Sequence, residues 1–279
     1  MTDNTFLINT CYFLVYTIIG WLCDNFFLEL NYVWQALLAT LFTYGVTALG
    51  AMIVFLFKKV NKSVLDAMLG FSAGVMTSAS YFSLIAPAIS MSEILNLSNV
   101  IVLLGFLCGG FLLFIGDKVC DRLINSKNKR VLMLISSITL HNIPEGLAVG
   151  VAFGSTFYGL DGATVASACL LALGIGIQNF PEGSAVALPL IREGMSRRKA
   201  FFYGQLSGIV EPISGVLGAL LVIKIRTLLP FLLSFAAGAM IYVVVSELIP
   251  ESQTNEKKDL MALFTIIGFA VMMLLDISL

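Results

Sequence analysis

His141-Asn142-Ile143-Pro144-Glu145-Gly146 lies inside one apolar stretch, and Gln178-Asn179-Phe180-Pro181-Glu182-Gly183 lies inside the next. A shift of 37 residues superimposes the two, and also pairs Ala148 with Ala185 and Val149 with Val186. Each copy sets a glutamate and polar neighbours where the chain otherwise reads as hydrocarbon-soluble. An ionisable group inside a bilayer costs several kcal/mol unless paired, so such residues read as functional. Their donors (one imidazole, amide oxygens and two carboxylates) suit a divalent metal.

Outward from this pair, the 279-residue chain is 58% hydrophobic and only 12% charged. Its mean hydropathy of +0.96 excludes an ordinary soluble domain. Runs of roughly 18 or more apolar residues recur throughout, each long enough to span a bilayer as a helix. They place spans at about 5–28, 33–57, 64–88, 97–117, 131–153, 162–190, 200–223, 228–250 and 260–278. The expected fold is one all-α polytopic membrane domain over 1–279, with an extra N-terminal helix and a core from about 33. The first run lacks a basic leader and a small-residue cleavage pattern, so it reads as a retained helix. Cys11, Cys23, Cys108, Cys120 and Cys169 show no CxxC spacing and read as small apolar residues.

Net charge is only −1, but its distribution sets a topology. Lys58, Lys59 and Lys62 follow the second span, and Lys118, Arg122, Lys127, Lys129 and Arg130 the fourth. Arg192, Arg197, Arg198 and Lys199 follow the sixth, Lys257 and Lys258 the eighth, leaving only Lys224 and Arg226 for the other loops. The positive-inside rule puts these four loops in the cytoplasm, the N-terminus inside and the C-terminus outside. The basic loops are topology signals rather than a nucleic-acid surface.

Consecutive spans run in opposite directions, so the 37-residue repeat is antiparallel. A second shift, of 164 residues, pairs Phe71 with Phe235, Ala73 with Ala237, Gly74 with Gly238, Met76 with Met240, Leu84 with Leu248 and Ile85 with Ile249. These spans are also antiparallel, and inverted repeats mark secondary transporters that bind near the midplane.

Rise per residue fixes depth. Counted from Arg130, His141 lies about 16 Å and Glu145 about 22 Å into the membrane. From Arg192, Glu182 lies at about 15 Å and Gln178 at about 21 Å. His141 is therefore level with Glu182, and Glu145 with Gln178. Each helix presents its pair at i,i+4, with Asn142 and Asn179 flanking. Glu211, about 18 Å up from Lys199, joins them. Three carboxylates at one depth would repel or protonate unless a divalent cation sat among them. Pro144 and Pro181 should kink their helices and free the carbonyls of Leu140 and Ile177, while Gly146 and Gly183 permit close helix approach.

Bland roles compete at single positions. A transmembrane histidine or glutamate can simply hydrogen-bond a neighbouring helix. Met76 and Met240 read as core or as soft pathway ligands. Glu247 reads as an exit relay or a snorkelling end residue, and Asp276 as a solvated terminal charge or an aid to metal access.

At these motifs the chain resembles the ZIP (ZRT/IRT-like protein) family of divalent-metal transporters, in particular bacterial members with an additional N-terminal helix. The resemblance covers the chain from about residue 33. It implies eight core helices, the first three and last three related by inversion around a central pair. It also implies movement of Zn²⁺, and in various members Fe²⁺, Mn²⁺ or Cd²⁺, into the cytoplasm through a multi-pass plasma membrane, here a bacterial inner membrane. The resemblance implies a binuclear centre: His141, Glu145, Gln178 and Glu182 at the principal position, Asn142, Asn179 and Glu211 at the adjacent one. A transport bundle moving against a homodimeric scaffold is implied likewise. Many members have histidine at Gln178, and some aspartate at Asn179, which leaves this site harder and less anionic. The loop between the fourth and fifth spans has no histidine, so a metal-sensing loop is not expected.

Other functions fare worse. An intramembrane metalloprotease needs His-Glu-x-x-His, and this chain has one histidine. A channel-like cation facilitator would share the carboxylates but needs weak sites in series.

Overall fold

The computed structural model describes residues 29–56, 61–123, 129–159, 163–192, 194–254 and 256–277, which are helical with no strand among them. The expected N-terminal helix at about 5–28 lies outside the described residues. Eight membrane-scale helices are described: α1 (Tyr32–Leu56), α2 (Lys62–Ile94), α3 (Val100–Leu123) and α4 (Lys129–Ser155), then α5 (Val165–Arg192). α6 joins Arg197–Leu206 to Val210–Lys224 through the 3₁₀ turn Ser207–Ile209; α7 (Leu229–Ser252) and α8 (Lys258–Ile277) follow. Among the described residues, α1, α2, α3, α5, α6, α7 and α8 are long and apolar enough by composition to cross a membrane, and the chain is a multi-pass membrane protein.

Local chemistry sets the ends. Asn61 caps α2 by accepting from the Ser63 amide at 2.9 Å. Thr164 and Ser167 bond reciprocally at the start of α5, each hydroxyl accepting the other's amide. α5 ends in a Schellman turn: Met195 N–H reaches Leu190 O, Gly194 N–H reaches Ile191 O, and Gly194 takes φ 88°. Pro144 and Pro181 sit inside unbroken helices, and Pro212 is the third residue of the α-helical segment after the 3₁₀ turn. Pro212 lacks the amide that would bond Gly208 O, which is why α6 tightens there.

α1 lies along α5 and α4 along α6, while α2 packs on α8 and α3 on α7; α2 meets α5 and α7 meets α4 between these groups. The pairings interchange under a two-fold relating α1 to α6, α2 to α7, α3 to α8 and α4 to α5. Backbone contacts obey it residue by residue. A Cβ on Gly74 would overlap the Thr265 carbonyl oxygen on α8, and one on its 164-residue mate Gly238 would overlap the Phe106 oxygen on α3. Likewise Gly268 abuts the carbonyl oxygen of Phe71, and Gly109 that of Phe71's mate Phe235. Both α2 and α7 widen into π-helix at matched places, Ser80–Ile85 and Val244–Leu248. Only 22% of the apolar window of α3 and 17% of that of α8 is buried within the chain, so these two helices lie on its outside.

Candidate functional site

The repeat pair stands on α4 and α5, and α1 and α6 close around it. Gly146 lets α4 meet the Glu211 backbone on α6; Gly183 lets α5 meet Thr47 on α1. Since Thr47 and Glu211 are 164 residues apart, the two-fold runs through the site. Asn142, Glu145, Gln178, Asn179 and Glu211 are fully buried, and Glu182 is 5% exposed.

Their hydrogen bonds share one pattern. Gln178 Nε2 donates to Glu145 Oε1 at 2.6 Å. Asn142 Nδ2 donates to Ser207 O at 2.8 Å, which satisfies a carbonyl of the tightened turn before Pro212. Asn179 Nδ2 donates to Glu211 Oε2 at 2.9 Å and to Thr43 O at 3.3 Å. Ser207 and Thr43 are again 164 residues apart, so the two asparagines make symmetry-related bonds. Every amide is thus anchored by its nitrogen end.

The oxygen ends are bare. Asn142 Oδ1, Gln178 Oε1, Asn179 Oδ1, Glu145 Oε2 and both Glu182 oxygens are buried with no donor. Buried polar atoms nearly always find partners. Six acceptors with no donor among the described residues, on adjoining turns of two packed helices, make up a donor set whose chemistry suits a cation. Glu145 also lies within electrostatic reach of Glu182 and Glu211. Among the described residues, which leave out the His141 side chain, no three His, Cys, Asp or Glu side chains form a metal-holding group by themselves. His141 continues α4, one turn before Glu145, and its side chain lies outside the described residues.

Glu211 differs from the other two carboxylates. Thr43 Oγ1 and Asn179 Nδ2 both donate to Oε2, and Thr47 Oγ1 donates to Oε1 at 3.2 Å. Neither threonine emerged from the sequence motifs. Their signal was present, since Thr40, Thr43 and Thr47 form a buried polar stripe at helical spacing on α1.

The remaining sequence candidates lie away from this cluster. Met76 and Met240 are fully buried in the hydrophobic core. Glu247 is half-buried in the π-segment of α7, within electrostatic reach of Glu182. Asp276 accepts from Ser83 Oγ at 2.5 Å, keeps its other oxygen unpartnered, and lines a cavity of about 280 Å³ with Phe82, Pro87 and Met91. It is therefore a mostly buried carboxylate, not a solvated terminal charge.

The family profile described as "Zip: ZIP Zinc transporter" matches residues 121–276. The chain belongs to the ZIP family. It is 39% identical to "Zinc transporter ZIP11" of Xenopus tropicalis over 88% of this chain and 97% of that protein. It is 37% identical to the human protein of the same name, over 88% and 98%. "Zinc transporter GufA" of Myxococcus xanthus is 34% identical over 87% of this chain and 98% of its own length. Family membership makes this ZIP chain a metal transporter rather than an enzyme, with a divalent metal as its substrate.

Proposed function

We propose that this chain carries Zn²⁺ into the cytoplasm through a midplane site, accepting Cd²⁺ as well, with Fe²⁺ and Mn²⁺ as further substrates. The observation that carries this reading is the set of six buried acceptor oxygens without donors on α4 and α5. His141, Glu145, Gln178 and Glu182 form the principal position, and Asn142, Asn179 and Glu211 the adjacent one of a binuclear centre. Full burial of five of these residues favours alternating access over an open pore. In that cycle the bundle α1, α4, α5 and α6 moves against α2, α3, α7 and α8, the scaffold of a homodimer. The whole chain is one domain in a plasma membrane, a bacterial inner membrane in a bacterial host, with the N-terminus inside and the C-terminus outside. Asp276 and its cavity receive metal from outside, and Glu247 passes it on at the inner end.

Metal flux into proteoliposomes, measured across a panel of divalent ions, tests this. Zn²⁺ and Cd²⁺ should accumulate. Transport of an organic solute with no metal movement in either direction would overturn it.

A further inference from the structure

A neutral amide at a cation site has one helpful end and one harmful end, since its oxygen ligates while its NH₂ repels. An aspartate has two equivalent oxygens and needs no such orientation, but this chain has Asn179. We infer that Thr43, Thr47 and Glu211 form a positioning chain that holds the Asn179 amide with its oxygen toward the metal. The inference rests on the metal site proposed above and assigns Thr43 and Thr47 a part in it.

The geometry supports each link. Glu211 Oε2 and Thr43 O both accept from Asn179 Nδ2, at 2.9 and 3.3 Å, which occupies the nitrogen end and leaves Oδ1 bare. A carboxylate can fix an amide only if it is itself fixed. Thr43 Oγ1 holds Oε2 and Thr47 Oγ1 holds Oε1, so Glu211 cannot swing without breaking a buried bond at each oxygen. The arrangement is asymmetric where the fold is not: the mate of Glu211 is Thr47, a hydroxyl. Asn142 needs no carboxylate, because its nitrogen end is anchored on the Ser207 carbonyl. Partners of this kind around a ligand typically change metal affinity about 10–100-fold when removed.

Calorimetric titration of the purified full chain with Zn²⁺ decides it. Thr43→Val/Thr47→Val removes no proposed ligand and no charge, and should weaken Zn²⁺ binding about 10–100-fold. Thr47→Val alone loses the 3.2 Å bond to Glu211 Oε1, together with the alternative 3.2 Å bond to Thr43 O, and should give a smaller change of the same sign; Thr47→Ser should keep wild-type affinity. The deciding variant adds Asn179→Asp to the double valine. An aspartate needs no orientation, so affinity should return toward wild type. A merely structural role predicts the reverse, because a second carboxylate would then face Glu211. Wild-type affinity in the double valine variant, or further loss on adding Asn179→Asp, would overturn the inference alone. A wild-type chain that binds no Zn²⁺ would overturn the functional reading and this inference with it.

Discussion

Glu182→Gln should stabilise the metal-free protein and weaken its response to metal. Both Glu182 oxygens are buried and neither has a donor, so the metal-free protein carries two acceptors whose hydration was lost without return. Each such buried group costs about 1–3 kcal/mol, and more when charged. Glutamine keeps the shape, removes the formal charge and brings an N–H that can reach the neighbouring bare oxygens. The metal-free variant should therefore be more stable than wild type by about 1–3 kcal/mol. For a chain of this size, that is a rise in Tm of a few degrees at about 2–4 °C per kcal/mol.

Metal closes the gap. At a free concentration 100 times Kd, Zn²⁺ stabilises the wild-type fold by about 2.7 kcal/mol, or about 5–10 °C. The variant offers one carboxylate fewer, so its Tm should rise by less than half as much at the same Zn²⁺ concentration. Thermal unfolding in detergent, with chelator and then with buffered Zn²⁺, reads both effects in one series. A metal-free variant less stable than wild type, or one with an undiminished Zn²⁺ shift, would show that Glu182 is satisfied by the protein rather than by the metal.

Two more expectations follow from the same contacts. Gly74→Ala and Gly238→Ala each drive a methyl into a carbonyl oxygen of the packed neighbour, so each should destabilise by about 1–3 kcal/mol and by similar amounts; Gly45→Ala, with nothing within 4 Å, should not, and thermal unfolding compares the three. Zn²⁺ must displace any protons held by Glu145, Glu182 and Glu211, so affinity should fall as pH falls from 8 to 5, and the slope should be shallower in Glu182→Gln, as titration at several pH values would show.

The parts of this architecture that repeat were legible in the sequence. Apolar length located eight core helices, with most ends within three residues and the far ends of α2 and α3 six residues short, and the two shifts paired α4 with α5 and α2 with α7. The π-segments at Ser80–Ile85 and Val244–Leu248 were not visible, because widening a helical turn leaves hydropathy unchanged. Asp276 looked terminal by position, yet the chain folds Ser83 and a cavity against it. Thr43 and Thr47 escaped notice because a threonine in a span reads as neutral. Which way an amide points depends on partners from other helices, so the common anchoring of Asn142, Gln178 and Asn179 needed three-dimensional placement.

The internal two-fold also locates where function departs from symmetry. Symmetric contacts serve the backbone: Gly74 and Gly238 on carbonyls, Asn142 and Asn179 on Ser207 and Thr43. Two pairs that differ in chemistry fall at the candidate site, His141 with Gln178 and Glu211 with Thr47. In the proposed alternating-access cycle, equal halves are an advantage, because neither packing is then strongly preferred. A cation asks for a definite ligand set, which two equal halves would double: two histidines, and two further carboxylates facing each other across the cluster. Replacing one of each by an amide and a hydroxyl removes that surplus charge and leaves a hydrogen-bond donor beside the carboxylate that remains. Thr47, donating to Glu211 across the axis, is the residue on which both requirements meet.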